Sequence, residues 1–400
     1  MSQTTSDPRY GLKPPKRPMR ISWSDERFRG IVWQVVVVAI VAAIFWWLWS
    51  NTVRNLEVRR IASGWGFLGR EAGLPIAESV IPYDPTNTYL RALTVGVLNT
   101  LKVAIIGVVL ATVLGTVLGV LRLSKNWLVS RFVGAYVEVV RDLPLLLQLL
   151  FWYAVLQGLP GPRQAVNPAT GVFLSNRGLK LPWFEWLDAH SWALLACVIG
   201  IVLTLIWRKK ALARQMADGQ PRRVWPVALL LCIGAPLAVW AAQGAPFSPD
   251  IPYLRGFNFQ GGLTVSPEFF ALLVGLTLYT AGFICEIVRA GILAVHQGQW
   301  EAAGALGLPR GRIMRLVVLP QALRVIIPPM TSQFLNLTKN SSLAVAIGYQ
   351  DIVSIANTTL NQTGQAIEGI AAIMLVYLTI SLSISLFMNW YNTRIALVER

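Results

Sequence analysis

Of 400 residues, 54% are hydrophobic and only 14% charged, too few charges to cover the water-facing surface of two or three ordinary soluble domains. The 35 Lys and Arg against 19 Asp and Glu leave a net charge of +16. That excess suits either a nucleic-acid partner or a membrane protein with its cations gathered in loops, and the placement of the charges separates the two.

The first 30 residues are polar, basic and Pro-rich (Lys13, Pro14, Pro15, Lys16, Arg17, Pro18) and read as a disordered basic tail. An apolar run at 31–49 follows, ending in Trp46-Trp47-Leu48-Trp49, residues of the kind that settle at a membrane interface. It is longer than the apolar stretch of a cleavable signal, so it is expected to stay as a signal-anchor helix. Further runs at 95–121, 132–156, 192–207, 224–242, 268–294, 325–348 and 371–390 bring the count to eight. Each is expected to cross a hydrocarbon core ~30 Å thick as a helix. The run at 192–207 is short and must borrow flanking residues, and 325–348 is more polar than the rest.

Eight crossings place both termini on one side. Segments 1–30, 122–131, 208–223, 296–324 and 391–400 then hold 22 Lys and Arg, against 9 in 50–91, 160–190, 243–266 and 348–370. The positive-inside rule assigns the first set, and both termini, to the cytoplasm. Most of the charge therefore reports topology, and no nucleic-acid partner is expected. Lys102, Arg141, Arg289 and Lys339 are left within spans. The expected class is all-α, a polytopic membrane protein of about eight transmembrane helices.

Cys197, Cys232 and Cys285 lie far apart inside apolar runs and read as small buried hydrophobes. His190 and His296 are the only histidines, so no metal-ligand spacing exists. The sequence has no G-x-x-x-x-G-K-[ST], so any ATP used must be bound by another chain.

Three groups of polar residues stand out within or beside the spans. Glu286 and Arg289, like Glu138 and Arg141, are three apart on a helix and can pair directly, either as packing pairs or as parts of a gate. Ser332, Asn336, Lys339 and Asn340 share one helical face, widened by Gln333, Thr338, Ser341 and Ser342. A face this polar is not expected to meet lipid; it either bonds a partner helix or lines a path. The loop after the sixth run reads Glu301-Ala302-Ala303-Gly304-Ala305-Leu306-Gly307-Leu308-Pro309. Glu301 is expected to open a short helix, Gly307 to end it in a left-handed turn, and Pro309 to begin a basic amphipathic stretch that Pro320 breaks.

The spacing of Glu301, Ala302, Ala303, Gly307, Leu319 and Pro320, with Val317 aliphatic, resembles the EAA loop of ABC importer permeases. The resemblance implies that the short helix seats in a groove of an ATPase subunit and carries its motion to the membrane helices. Thr277-Leu278-Tyr279-Thr280-Ala281-Gly282-Phe283, followed by Glu286-Ile287-Val288-Arg289-Ala290-Gly291-Ile292, resembles the sixth-span signature of polar amino acid permeases of the histidine/glutamine group. Gly96-Val97-Leu98-Asn99-Thr100-Leu101, and Glu138 to Arg141 with Pro144-Leu145-Leu146-Leu147-Gln148, resemble its first two core helices. Asp142-Leu143 departs from the Gly-Thr pair common before that proline. Segments within 66–92 are similar to the long permeases of general L-amino-acid and glutamate/glutamine/aspartate/asparagine importers.

On this resemblance the chain divides into a cytoplasmic tail (1–30), an extra first helix (31–49), a periplasmic segment (50–92), a first core part (93–159), an insertion with two helices (160–267) and a second core part (268–395) containing the coupling loop (301–320). Five of the eight helices form a type I importer permease core. The implied function is the permease subunit of an ATP-driven amino acid importer in a bacterial inner membrane. The implied partners are a second permease, two cytoplasmic ATPases that bind the ATP and Mg, and a periplasmic amino-acid-binding protein. No catalytic site or cofactor is expected in this chain, and Lys339 is the expected cation for a substrate carboxylate. A self-sufficient ion-coupled secondary transporter and a channel or scaffold are the competing classes. The internal repeats usual in the former are not seen.

Overall fold

The computed structural model describes residues 23, 26–58, 63–220, 223–246 and 248–395. Residues 1–22 of the expected tail lie outside them. The long apolar runs fold into helices, which take up 74% of the described residues. In order these are α1 (Glu26–Val58), α2 (Tyr89–Arg122), α3 (Trp127–Asp142), α4 (Leu145–Gln157), α5 (Asp188–Asp218), α6 (Trp225–Leu229), α7 (Ala235–Ala242), α8 (Pro267–Leu293), α9 (Gln297–Ala305), α10 (Arg310–Ile313), α11 (Leu319–Asn340), α12 (Ile352–Thr363) and α13 (Ala366–Ile395). A π turn, Leu230–Gly234, joins α6 to α7 in one 18-residue run, Trp225–Ala242.

Among the described residues, seven helices are long and apolar enough to cross a membrane, and the bent pair α3–α4 makes eight if it counts as one span. The single straight span expected over 132–156 is therefore broken. Pro144 pushes Leu143 into extended backbone (ψ 136°), and α4 leaves α3 at 106°. The short run at 192–207 borrows both flanks and becomes the 31-residue α5.

Packing centres on α8, whose Leu272, Leu276, Ala281, Ile284 and Cys285 are fully buried. In lipid, apolar side chains gain little from leaving the solvent, so close approach and packing must hold helices together. Gly115 and Gly119 of α2 supply that approach. A Cβ on Gly115 would stand 2.6 Å from Cβ of Ile284, and one on Gly119 2.9 Å from the carbonyl of Cys285. On other sides of α8, Leu149 of α4 lies over Gly275 and Ile326 of α11 over Gly291. After α11, a 3-10 stretch, Ser341–Ile347, buries Ala344 and Ile347 against Leu149, Leu272 and Leu276. None of the apolar window of α1 is buried within the chain.

Short strands, absent from the sequence expectation, cap one face of the bundle. β1 (Val166–Ala169), β2 (Val172–Ser175) and β3 (Gly178–Leu181) form an antiparallel meander, and β8 (Leu263–Val265) completes it from the far side of the α5–α7 excursion. Leu179, Lys180 and Leu181 pair with Val265, Thr264 and Leu263. β4 (Trp183–Phe184) pairs with β5 (Pro249–Asp250), and β6 (Tyr253–Arg255) with β7 (Asn258–Gln260). Segments 160–190 and 243–266 thus share one face of the molecule, hereafter the strand face.

Candidate functional site

At the end of α8 remote from the strands, His296 caps α9, its Nδ1 accepting from the amide of Gly298 at 3.1 Å. The helix begins at Gln297, so Glu301 sits mid-helix instead of opening it, where its Oε1 accepts from the Gln297 side chain at 3.0 Å. Ala303 is buried with Val295, Ile313 and Val318, and Trp300, Leu308 and Val317 pack around them. That contact turns Glu301, Ala302 and Gly307 outward, all exposed. Gly307 takes φ +74°, the left-handed turn expected of it, and Pro309 caps α10.

Pro320 does not break the following stretch. Between α10 and α11 runs a π turn, Met314–Val318, and Leu319 and Pro320 form the first positions of α11. A proline ring clashes with the carbonyl one turn back, and the wider π turn makes room for it. Arg310–Ile347 consequently runs as one helical length of 38 residues from the loop, through α11, to the end of the 3-10 stretch. Pro328 and Pro329 lie within it and remove two amides from its hydrogen-bond ladder.

On α11, Ser332, Asn336 and Lys339 are exposed and Asn340 half-buried, so this chain alone leaves the face uncovered. Among the described residues no carboxylate lies within ion-pair reach of Lys339. Thr338 and Ser341 do not widen this face. Both are buried, their hydroxyls donating to the carbonyls of Phe334 (2.8 Å) and Thr338 (2.7 Å).

Glu286 pairs with Arg289, Oε2 accepting from Nε at 3.1 Å. Its other oxygen meets the guanidinium of Arg122, at the end of α2, a partner the sequence reading missed. Glu138 and Arg141 make no ion pair among the described residues. The Arg141 guanidinium instead lies 5.0 Å from the Phe283 ring centroid, a cation–π contact with α8. At the strand face, Lys102 pairs with Glu78, whose Oε2 accepts from the Ser266 hydroxyl at 2.6 Å. Asn99 adds two bonds, to the carbonyls of Glu78 (2.8 Å) and Gln350 (2.9 Å). Residues 63–92 therefore fold back onto the bundle and take up one of the four in-span cations.

Residues 107–397 match the family described as the binding-protein-dependent transport system inner membrane component. The chain belongs to this family. It is 52% identical over 382 residues to the putative amino-acid ABC transporter permease protein YhdX of Escherichia coli K12, covering 95% of this chain and 97% of that one. It is 48% identical to the general L-amino acid transport system permease protein AapQ of Rhizobium johnstonii, over 95% of this chain and 96% of that one. It is 44% identical to the glutamate/glutamine/aspartate/asparagine transport system permease protein BztB of Rhodobacter capsulatus, over 97% and 99%. It is thus a multi-pass inner-membrane permease with ABC-importer relatives along its whole length.

Two cavities of this permease bear on where a solute passes. One of about 670 Å³ opens between α2, α11 and α13, walled by Leu101, Ile105, Phe334 and Ile380. Its hydroxyls donate to their own helices, Thr379 to Leu375 (2.7 Å) and Ser383 to Thr379 (2.8 Å), and the rest of its wall is apolar, a poor setting for a charged solute. The other, about 550 Å³, lies at the strand face and is lined by Glu78, Tyr83, Ser266, Glu268, Tyr349 and Gln350. Leu306, at the tip of the loop, is a further residue the sequence reading passed over. It is 80% exposed, and its signal was an apolar residue between Ala305 and Gly307 where Ala303 already supplies the buried contact.

Proposed function

We propose that this permease moves L-amino acids into the cell by alternating access, driven by ATP bound on partner ATPase subunits. The substrate class rests on the names of the relatives, and the drive on the loop. The observation that carries the reading is the helical length Arg310–Ile347, which starts beside the exposed Glu301–Gly307 turn and carries the uncovered polar face on α11. A displacement imposed at the loop reaches Asn336, Lys339 and Asn340 without an intervening coil. ATP shifts the equilibrium only through its different affinity for the two states of the partner, and this rod passes the difference on.

In this reading Glu301, Ala302, Ala303, Gly307, Leu319 and Pro320 form the coupling element, and the outward residues and Leu306 meet the ATPase. Ser332, Asn336, Lys339 and Asn340 line the path together with a second permease chain. Arg122, Glu286 and Arg289, with Glu138 and Arg141 nearby, form the gate at the loop end. ATP and Mg belong to two ATPase subunits, since this sequence has no phosphate-binding loop. The charge asymmetry supports a cytoplasmic side for the loop and both termini and a periplasmic one for the strand face, where an amino-acid-binding protein docks. Residues 93–159 and 268–395 are the core, to which 31–49 and the insertion 160–267 are added.

Affinity capture of the tagged permease tests this directly. The wild type brings down an ATPase and a second permease, while Glu301→Ala or Gly307→Pro loses ATP-dependent uptake and weakens the capture. Uptake by the purified chain in proteoliposomes without ATP, under an ion gradient alone, overturns the reading in favour of a secondary transporter.

A further inference from the structure

The α5–α7 excursion contains a feature that coupling and passage do not use. One stripe of α5 carries Leu203, Ile206 and Trp207, and then, one and two turns on, Lys210 and Arg214. The stripe changes character along the helix axis rather than around it, apolar first and cationic after. Opposite stand Val227 and Leu231, and between them lies a cavity of about 370 Å³ lined by those seven residues and Ala211, with no carboxylate in its wall.

The cavity is built by a change in helix separation. At Gly200, α5 touches the opposing run so closely that a Cβ would fall 2.0 Å from the Leu231 carbonyl. Past that contact the larger side chains hold the helices apart, leaving a wedge that is closed at Gly200 and open at Lys210 and Arg214. Trp207 is 42% exposed and Trp225, at the start of the return helix, 63%. Paired tryptophans of this kind mark the headgroup level of a leaflet. At 1.5 Å per residue, Lys210 and Arg214 lie roughly 5 and 10 Å beyond Trp207, at the depth of lipid phosphates.

We propose that this wedge binds an anionic phospholipid. Lys210 and Arg214 pair with the headgroup phosphate, and an acyl chain lies along Leu203, Ile206, Trp207 and Leu231. A basic cleft between membrane helices, floored by apolar side chains, matches a lipid's own sequence of charge and hydrocarbon. Its assignment to the inner leaflet rests on the orientation proposed above, whereas lipid binding itself does not. Loss of ATPase capture with lipid binding intact would therefore count against the transport reading alone.

The test is native mass spectrometry of the delipidated full-length permease in detergent, titrated with dioleoyl phosphatidylglycerol, with dioleoyl phosphatidylcholine, and with glycerol phosphate, which has no chains. The wild type is expected to retain one phosphatidylglycerol in preference to phosphatidylcholine and to bind glycerol phosphate far more weakly. Lys210→Ala with Arg214→Ala is expected to weaken phosphatidylglycerol about 30-fold, from two juxtamembrane cations, and to leave phosphatidylcholine unchanged. Lys209→Ala, on the same basic run but outside the cavity wall, is expected to change it several-fold less. Lys210→Gln with Arg214→Gln repeats the measurement if the alanine pair elutes as aggregate. Equal retention of the two lipids, or an unchanged affinity in both double variants, overturns the proposal. Glycerol phosphate binding as tightly as the lipid also overturns it, making the site one for free phosphate.

Discussion

Lys339 stands exposed on α11 with no carboxylate in reach among the described residues, and the path reading turns on that side chain. If it meets a substrate carboxylate, Lys339→Met removes a charged hydrogen bond and lowers uptake about ten- to hundredfold. ATPase capture should be unaffected, and unchanged uptake with unchanged substrate range removes Lys339 from the path. Asp351 gives a pH prediction. It caps α12, accepting from the Ser354 amide at 2.9 Å, and burial pushes its carboxyl up to about 7. The folded chain then keeps that proton up to about pH 7, while the unfolded chain releases it near 4, so stability falls as pH rises through that window and is flat above it. Asp351→Asn keeps a capping oxygen and cannot ionise. The thermal midpoint of the purified variant should exceed wild type at pH 8 and match it at pH 4, and a variant less stable at pH 8 would refute the assignment. Residues of this kind were unevenly legible. The Glu286–Arg289 pair follows from helical spacing, whereas Arg122 and Glu78 reach their partners from other segments, which no local pattern encodes.

Individual elements carry their own tests. Gly115 and Gly119 fix the α2–α8 spacing, so Gly115→Leu must part the helices at a cost of about 1–3 kcal/mol, read as a lowered thermal midpoint of the purified permease. Within α11, past its first turn, the rod loses ladder amides at Pro328 and Pro329, a natural place for it to bend. Replacing both by alanine should straighten and stabilise the helix while reducing ATP-driven uptake; uptake at the wild-type rate would mean that the rod moves as a rigid body. At this scale the sequence was read well wherever a run was long and uniformly apolar. It was misread at prolines, whose effect depends on the turn they meet: Pro320 is absorbed by a π turn, while Pro144 breaks a span. The strands escaped because each is four residues or fewer, too short for an alternating pattern to register, and because β3–β8 and β4–β5 pair across a long stretch of sequence.

For the molecule as a whole, the topology proposed above, eight crossings oriented by the charge asymmetry, predicts a side for every loop. The pairing of β3 with β8 adds an independent constraint, since it requires the segments before α5 and after α7 to share a face. In a background without Cys197, Cys232 and Cys285, a cysteine at Lys209 should react with an impermeant maleimide only from the cytoplasmic side, and one at Asp250 only from the periplasmic side. Reaction of both from one side would break the topology. The seven to eight candidate crossings were legible because hydrocarbon thickness sets the length of each run. How the crossings pack was not, because glycine contacts and bent pairs follow from neighbours distant in sequence.

The β3–β8 register also makes the excursion separable. Leu181 and Leu263 are antiparallel partners, so the chain leaves and re-enters the bundle at adjacent points. A two-residue turn of the Asn-Gly type could join them directly, deleting both intervening membrane helices. Two crossings is an even number, so α8 to α13 would keep their sidedness. Such a splice would leave β1, β2, β3 and β8 as one continuous meander leading straight from α4 into α8.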